Sequence, residues 1–245
     1  MPPPQPRESD ALSWIREALR RRGLPGALRY YAAGTLELLR DLTPTRRKSR
    51  YSDIDYDFDH GVDTTWATVS LRTRIRELLS EGQYQPTDPV LFDQILNSMP
   101  VPVEGFTFLD LGAGKGRTLL MASKYPFRRI IGVEILAELH QAAQQNIVRY
   151  RDAQQKCFAI ESHAGDARCF RFPAEDLMLY LFNPFPEPVL RQVLANLHDS
   201  LLAGPRRIYV IYHNLVHEDV FAEQHWLHPM RRTHQFAIYE AVAQR

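Results

Sequence analysis

Cysteine and lysine are scarce in this chain. Only Cys157 and Cys169 occur in 245 residues; with no paired spacing and no signal sequence they predict a reducing, cytoplasmic setting. No apolar run approaches the ~18 residues that span a bilayer, so no membrane partner is expected. Metal signatures are missing too. Asp53, Asp55, Asp57 and Asp59 alternate along the chain, but Phe58 and Thr64 stand where a calcium loop needs glycine and glutamate. His213 and His217 have helical spacing, yet Asn214 takes the place of the HExxH glutamate, so no metal is expected.

Charge is nearly balanced overall, at +1, but not along the chain: residues 1–50 hold 11 basic and 5 acidic side chains. Such an arm suits an acidic partner such as nucleic acid, or a solvated helix face. Residues 1–9 are Pro-rich and read as disordered. Leu12, Ile15 and Leu19 predict a short helix stopped by Gly23 and Pro25, and residues 28–42 predict a second. Ile54, Tyr56 and Phe58 alternate with the acids, which predicts an extended segment with one apolar edge.

The chain has 12 glycines, and three fall within five positions. Residues 108–117 read Phe-Leu-Asp-Leu-Gly-Ala-Gly-Lys-Gly-Arg, a buried strand carrying Asp110 near its end and then Gly112, Gly114 and Gly116. Glycine lacks a Cβ, so its backbone can approach a ligand closely. The spacing is GxGxG, with Arg117 where the third glycine of a dinucleotide loop belongs, which counts against NAD. A GxxxxGK[ST] phosphate loop fails as well, because Leu109 replaces its first glycine and Gly116 follows Lys115.

This stretch resembles the first motif of class I S-adenosylmethionine-dependent methyltransferases. The resemblance implies that Asp110, Gly112, Gly114 and Gly116 surround the methionine end and ribose of S-adenosylmethionine. Glu134 lies 22 residues beyond Gly112, after the apolar run 130–133, at the predicted tip of the next strand. An acid there accepts hydrogen bonds from ribose hydroxyls; a solvated glutamate opening the next helix is the alternative. A third strand at 157–163 ends near Asp166 and Ala167, where the resemblance places the acceptor for the adenine amino group and a residue packing near the ring; Gly-Asp is also an ordinary turn pair.

The run 176–182 reads as a strand buried on both faces and ends in Asn183-Pro184-Phe185-Pro186. It is similar to the Asn/Asp-Pro-Pro-aromatic tetrad of amino-directed methyltransferases, with the aromatic one position early. The resemblance implies that Asn183 is the catalytic residue and that Pro184 and Phe185 contact the acceptor. Upstream, Gly61-Val62-Asp63-Thr64 and Tyr84-Gln85-Pro86-Thr87 resemble segments of a small bacterial methyltransferase group of mostly unassigned substrate. The second is also similar to the non-SET protein-lysine methyltransferase branch, which implies that Tyr84 and Thr87 border the cofactor. Asp88 and Pro89 suit a helix start, with Leu91, Phe92, Ile95 and Met99 as its buried face.

Periodic apolar positions predict helices to about residue 150 and over 190–201, a fifth strand at 208–212, and two short strands near 226–227 and 236–241. Alternating strands and helices predict an α/β fold, Rossmann-like, with a seven-stranded, mostly parallel sheet. The expected organisation is a helical or extended appendage at 10–83 and a cofactor domain at 84–245. The implied activity is methyl transfer to a nucleophilic, nitrogen-type acceptor in a protein side chain or small molecule. RNA methylation, a non-catalytic cofactor-binding module and a nicotinamide-dependent oxidoreductase are the alternatives.

Overall fold

The computed structural model describes residues 19–20, 23–26, 28, 32, 54–65, 86–182 and 185–243. They fall into two compact units: His60–Thr64 belongs with the chain from Pro86 onward, whereas 54–59 and Thr65 belong to the other. In the latter, positions 19–20, 23–26, 28 and 32 are helical. Gly23 carries a left-handed φ of 65°, the backbone at which helices commonly end, whereas Pro25 lies within helical residues, as proline can in a first turn. The rest of the two helices expected in the first fifty residues lies outside the described residues.

The segment expected to be extended is a helix, α1 (Ile54–His60). The alternation of apolar and acidic residues does not correspond to one buried edge, because Phe58 is 85% exposed while Asp57 is buried. Asp55 and Asp57 lie in the first turn, where the helix dipole favours negative charge. Asp57 also accepts the Thr65 N–H at 2.9 Å.

In the larger unit α2 (Pro89–Asn97) starts as its sequence dictates: Asp88 accepts the Leu91 N–H at 2.8 Å, and Pro89 occupies the first turn. It buries Phe92, Ile95 and Leu96; Met99 falls beyond its end. Then follow β1 (Thr107–Leu111), α3 (Arg117–Ala122), β2 (Arg129–Glu134), α4 (Ala137–Arg149), β3 (Ile160–Ala164), β4 (Leu177–Phe182), α5 (Glu187–Ala203), β5 (Ile208–His213), α6 (Glu218–Ala222), β6 (Leu227–Arg232) and β7 (Phe236–Ala241). The third strand starts three residues later than expected, because the Lys156 and Cys157 N–H groups bond instead to the Ser123 carbonyl below α3.

The strands form one sheet in the order β3-β2-β1-β4-β5-β7-β6, parallel from β3 to β5, with β7 antiparallel to both its neighbours. Side chains alternate between its faces. Leu109, Leu179 and Val210 pack with Leu190, Leu194 and Leu197 of α5 on one face. On the other, Phe108 and Tyr180 meet Phe92 of α2 edge-on at 5.9 and 5.7 Å. Strand order reverses between β1 and β4, so the carboxyl ends of these strands open the crevice where α/β sheets hold ligands.

Gly132 lies on β2 opposite Asp110. A Cβ there would meet Leu119 Cδ1 at 2.6 Å and Ala113 Cβ at 2.9 Å. Gly132→Ala is expected to cost about 1–3 kcal/mol through overpacking, read as a fall of roughly 2–12 °C in Tm. An unchanged Tm would show that Leu119 swings aside freely.

Candidate functional site

The carboxyl edge gathers the acids that the sequence placed at strand tips. Asp110 pairs with Gly132 across β1 and β2, and Glu134 pairs with Ala164 across β2 and β3. The Gly165 N–H donates to the Glu134 carbonyl at 3.0 Å, which brings Asp166 to the same edge. After Leu111 the chain turns through Gly112, Gly114 and Gly116 with φ of 90°, 55° and 82°. Glycine is the residue suited to such left-handed backbone. Gly116 opens α3, and a Cβ on it would lie 3.2 Å from Ala143 of α4.

The loop differs in one respect from a simple ring of ligand-facing amides. The Gly112 and Ala113 N–H groups donate to the Val133 carbonyl at 2.8 and 3.1 Å, and Gly116 N–H donates to the Ala113 carbonyl at 2.8 Å. Gly114 N–H donates to Glu134 Oε2 at 2.9 Å. The N–H groups of all three glycines are thus spent on holding the turn itself.

Glu134 is 6% exposed, and its Oε1 accepts the Leu136 N–H at 2.8 Å. Burial raises its pKa, against the lowering effect of these backbone donors. Asp110 is 3% exposed and accepts the Thr118 hydroxyl. Burial pushes its pKa up to about 7, Thr118 opposes this, and the Glu134 charge adds to it. Two buried carboxylates at neighbouring strand tips make a place where a cation is favoured. Ile135, next in the chain, is 55% exposed and sets an apolar side chain at the same edge.

Asp166 caps a 3₁₀ turn (Ala167–Cys169) by accepting the Arg168 N–H at 2.9 Å. Its carboxylate also accepts the Arg168 Nε at 2.9 Å and Nη2 at 2.5 Å. Burial raises the Asp166 pKa, but the Arg168 hydrogen bonds and charge outweigh it and hold the carboxyl low. Ala167 is buried in the core on the α5 face.

Thr87 is 2% exposed and its hydroxyl is 3.3 Å from that of Tyr180. Tyr180, the register partner of Asp110, in turn lies 2.8 Å from His213 Nδ1. The His213 ring stacks on Phe182 at 4.0 Å. Burial lowers its pKa to about 4, so the imidazole is neutral at physiological pH. His213 ends β5 and does not share a helix with His217. Phe185 is half-buried against the core. Tyr84, Asn183 and Pro184 lie outside the described residues.

Sequence reasoning missed Thr118, Ile135, Tyr180 and His213 as parts of this edge. Tyr180 and His213 meet on the α2 face of the sheet because of strand register, which no local pattern encodes. Ile135 could have been noticed as an apolar residue directly after a strand-tip acid. Among the described residues, no helix is long and apolar enough to cross a membrane, and no group of three or more His, Cys, Asp or Glu could hold a metal ion.

No family model and no curated protein matches the sequence. Solved structures do. The YcgJ protein of Bacillus subtilis is 21% identical, with 50% of each chain covered and a TM-score of 0.37. A predicted N6-adenine-specific DNA methylase of Listeria monocytogenes is 15% identical over 66% of this chain and 53% of its own, with a TM-score of 0.47. An RNA methyltransferase of Salinibacter ruber, bound to S-adenosyl-L-homocysteine, is 19% identical over 66% of this chain and 95% of its own, with a TM-score of 0.45. The chain spans about half the length of the first two. The strand order β3-β2-β1-β4-β5-β7-β6, with β7 alone running against its neighbours and helices on both faces, gives this chain the Rossmann-like fold of class I methyltransferases.

Proposed function

We propose that the protein transfers a methyl group from S-adenosylmethionine to a nucleophilic acceptor, with nitrogen in a protein side chain or small molecule as the preferred target and RNA as the alternative. The observation that supports this most is the pair of buried carboxylates, Asp110 and Glu134, on adjacent strand tips around a left-handed glycine turn. The residues present fit the donor's chemistry. Glu134 offers acceptors to two ribose hydroxyls, and Asp110 is a buried carboxyl that, once deprotonated, suits the ammonium of the methionine end. Ile135 provides an apolar surface for a flat base, and Asp166 an acceptor beside it, already shared with Arg168. Within this reading Gly112, Gly114, Gly116, Ala167, Tyr84 and Thr87 complete the cofactor site. Residues 84–245 form the cofactor domain, joined by His60–Thr64 of the segment expected to be an appendage, in a cytoplasmic, bacterial protein.

When bound, the donor supplies an activated sulfonium methyl. The protein's part is then alignment and exclusion of water: the acceptor must sit ~3–3.5 Å from the methyl carbon, in line with the breaking bond. Asn183 and the Pro184 carbonyl orient the acceptor lone pair, and Phe185 packs beside it. A proton leaves the acceptor nitrogen before or after attack, and no covalent enzyme intermediate is needed.

Calorimetric titration with S-adenosylmethionine tests the cofactor assignment, and transfer of labelled methyl into fractionated lysate tests the reaction. Absence of binding removes the proposal; binding without transfer to any fraction makes the chain a non-catalytic module. For Asn183→Ala the expected result is a turnover loss of about 10–10³-fold with cofactor Kd changed less than about twofold. Equal losses in both would take Asn183 out of the acceptor's side of the site.

A further inference from the structure

Three left-handed glycines in five residues are costly to hold still, since ordering backbone costs about 1–2 kcal/mol per residue. A ligand binds such a loop tightly only when the protein has already fixed its shape. Beneath the loop this is done by Val133 and Glu134. Its other side is held by a segment that precedes Gly112 by about fifty residues, His60–Thr64, which belongs to the same compact unit.

Asn146 of α4 makes the junction. It is 1% exposed, and its side chain is fully engaged: Oδ1 accepts the Asp63 N–H at 2.8 Å, while Nδ2 donates to the Asp63 carbonyl at 2.7 Å and to the Lys115 carbonyl at 3.0 Å. Lys115, between Gly114 and Gly116, is 3% exposed and sets its ammonium 3.0 Å from Asp63 Oδ1. Arg117 Nε donates to Thr64 Oγ1 at 2.6 Å. The other end of the segment is fixed as well: the His60 ring stacks on Tyr150 at 5.3 Å, and its Nε2 lies 3.1 Å from Asp152, which also pairs with Lys124 at 3.0 Å.

We propose that the His60–Thr64 strap is a working part of the cofactor site, with Asn146 the positioning residue that locks it to the glycine loop. This rests on the reading that the loop holds S-adenosylmethionine. The strap does not touch the reacting atoms; it keeps Lys115 and its flanking glycines in the shape the ligand requires. Coupling of this kind is reciprocal, so a ligand that favours the ordered loop must also tighten the strap.

S-adenosylhomocysteine titrated into the full chain tests this. If the wild-type protein does not bind it, the cofactor reading itself fails. Given wild-type binding, Asn146→Ala is expected to weaken affinity at least tenfold. Thr233→Ala, which removes turn hydrogen bonds between β6 and β7, should leave affinity unchanged at a comparable loss of Tm. A second readout needs no variant: S-adenosylhomocysteine should slow hydrogen exchange at residues 62–64 of the wild-type protein. Wild-type-like affinity in Asn146→Ala, an equal loss in Thr233→Ala, or strap exchange indifferent to the ligand would each overturn the proposal.

Discussion

Asp110→Asn is expected to raise the melting temperature at pH 8 while weakening S-adenosylmethionine binding by about 10–100-fold. The two effects share a cause. Burial lifts the Asp110 pKa from 3.8 to about 7, so the folded protein retains a proton that the unfolded chain releases. Stability from this group is therefore fully present below about pH 4 and is lost as pH rises through about 7. An asparagine cannot ionise and can still accept the Thr118 hydroxyl. At about 1.4 kcal/mol per pKa unit, the gain above pH 7 has a ceiling of ~4 kcal/mol and shrinks toward pH 4. The same substitution removes the anion proposed to face the donor's ammonium. In the wild-type protein, cofactor affinity should accordingly strengthen as pH rises from 6 to 8, because the proton must leave before the cation can be paired. Melting curves at pH 5 and 8, with calorimetry over the same range, decide it. A variant that binds the cofactor normally, or melts lower at pH 8, contradicts the assignment.

Glu134→Gln should behave differently. The Glu134 oxygens accept separate backbone donors, from Gly114 and Leu136. An amide has one acceptor oxygen, so its NH₂ must face one of those N–H groups, at a cost of about 1–3 kcal/mol. That cost offsets the relief of removing a buried charge, and the stability gain of Asp110→Asn should be absent. Cofactor affinity should fall ~10²-fold, equivalent to about 2.7 kcal/mol, as both the loop's support and the acceptor for the ribose hydroxyls are impaired. An analogue lacking a ribose hydroxyl gives the sharper comparison. It should bind the wild-type protein more weakly than the parent compound, and the variant nearly as well as the parent. If the analogue loses equally against both proteins, Glu134 does not bind the sugar.

The parallel sheet was legible because strands covered on both faces leave continuous apolar runs, as in β4 and β5. Asp110 was legible because a glycine turn marks where β1 stops, and Glu134 because it closes an apolar run 22 residues beyond Gly112. What stayed hidden depends on partners distant in sequence. Thr87, Tyr180 and His213 form a buried chain only through β1–β4–β5 register and the position of α2. Asn146 falls beside Ala143 and Ile147 on a helix whose apolar face was recognised, but an asparagine there carries no sign of being 1% exposed. Helix α1 was read as extended because two-residue alternation mimics a strand when the buried positions are unknown, and Phe58 proved to face solvent.

The strap's contacts have a temporal consequence. Asp63 bonds to a side chain 83 residues later, and His60 to one 92 residues later. On the ribosome, residues 60–64 emerge well before α4 exists to receive them. The nascent glycine turn cannot acquire its final support until translation has passed residue 152, so the proposed cofactor site is completed by a long-range closure that local folding cannot supply.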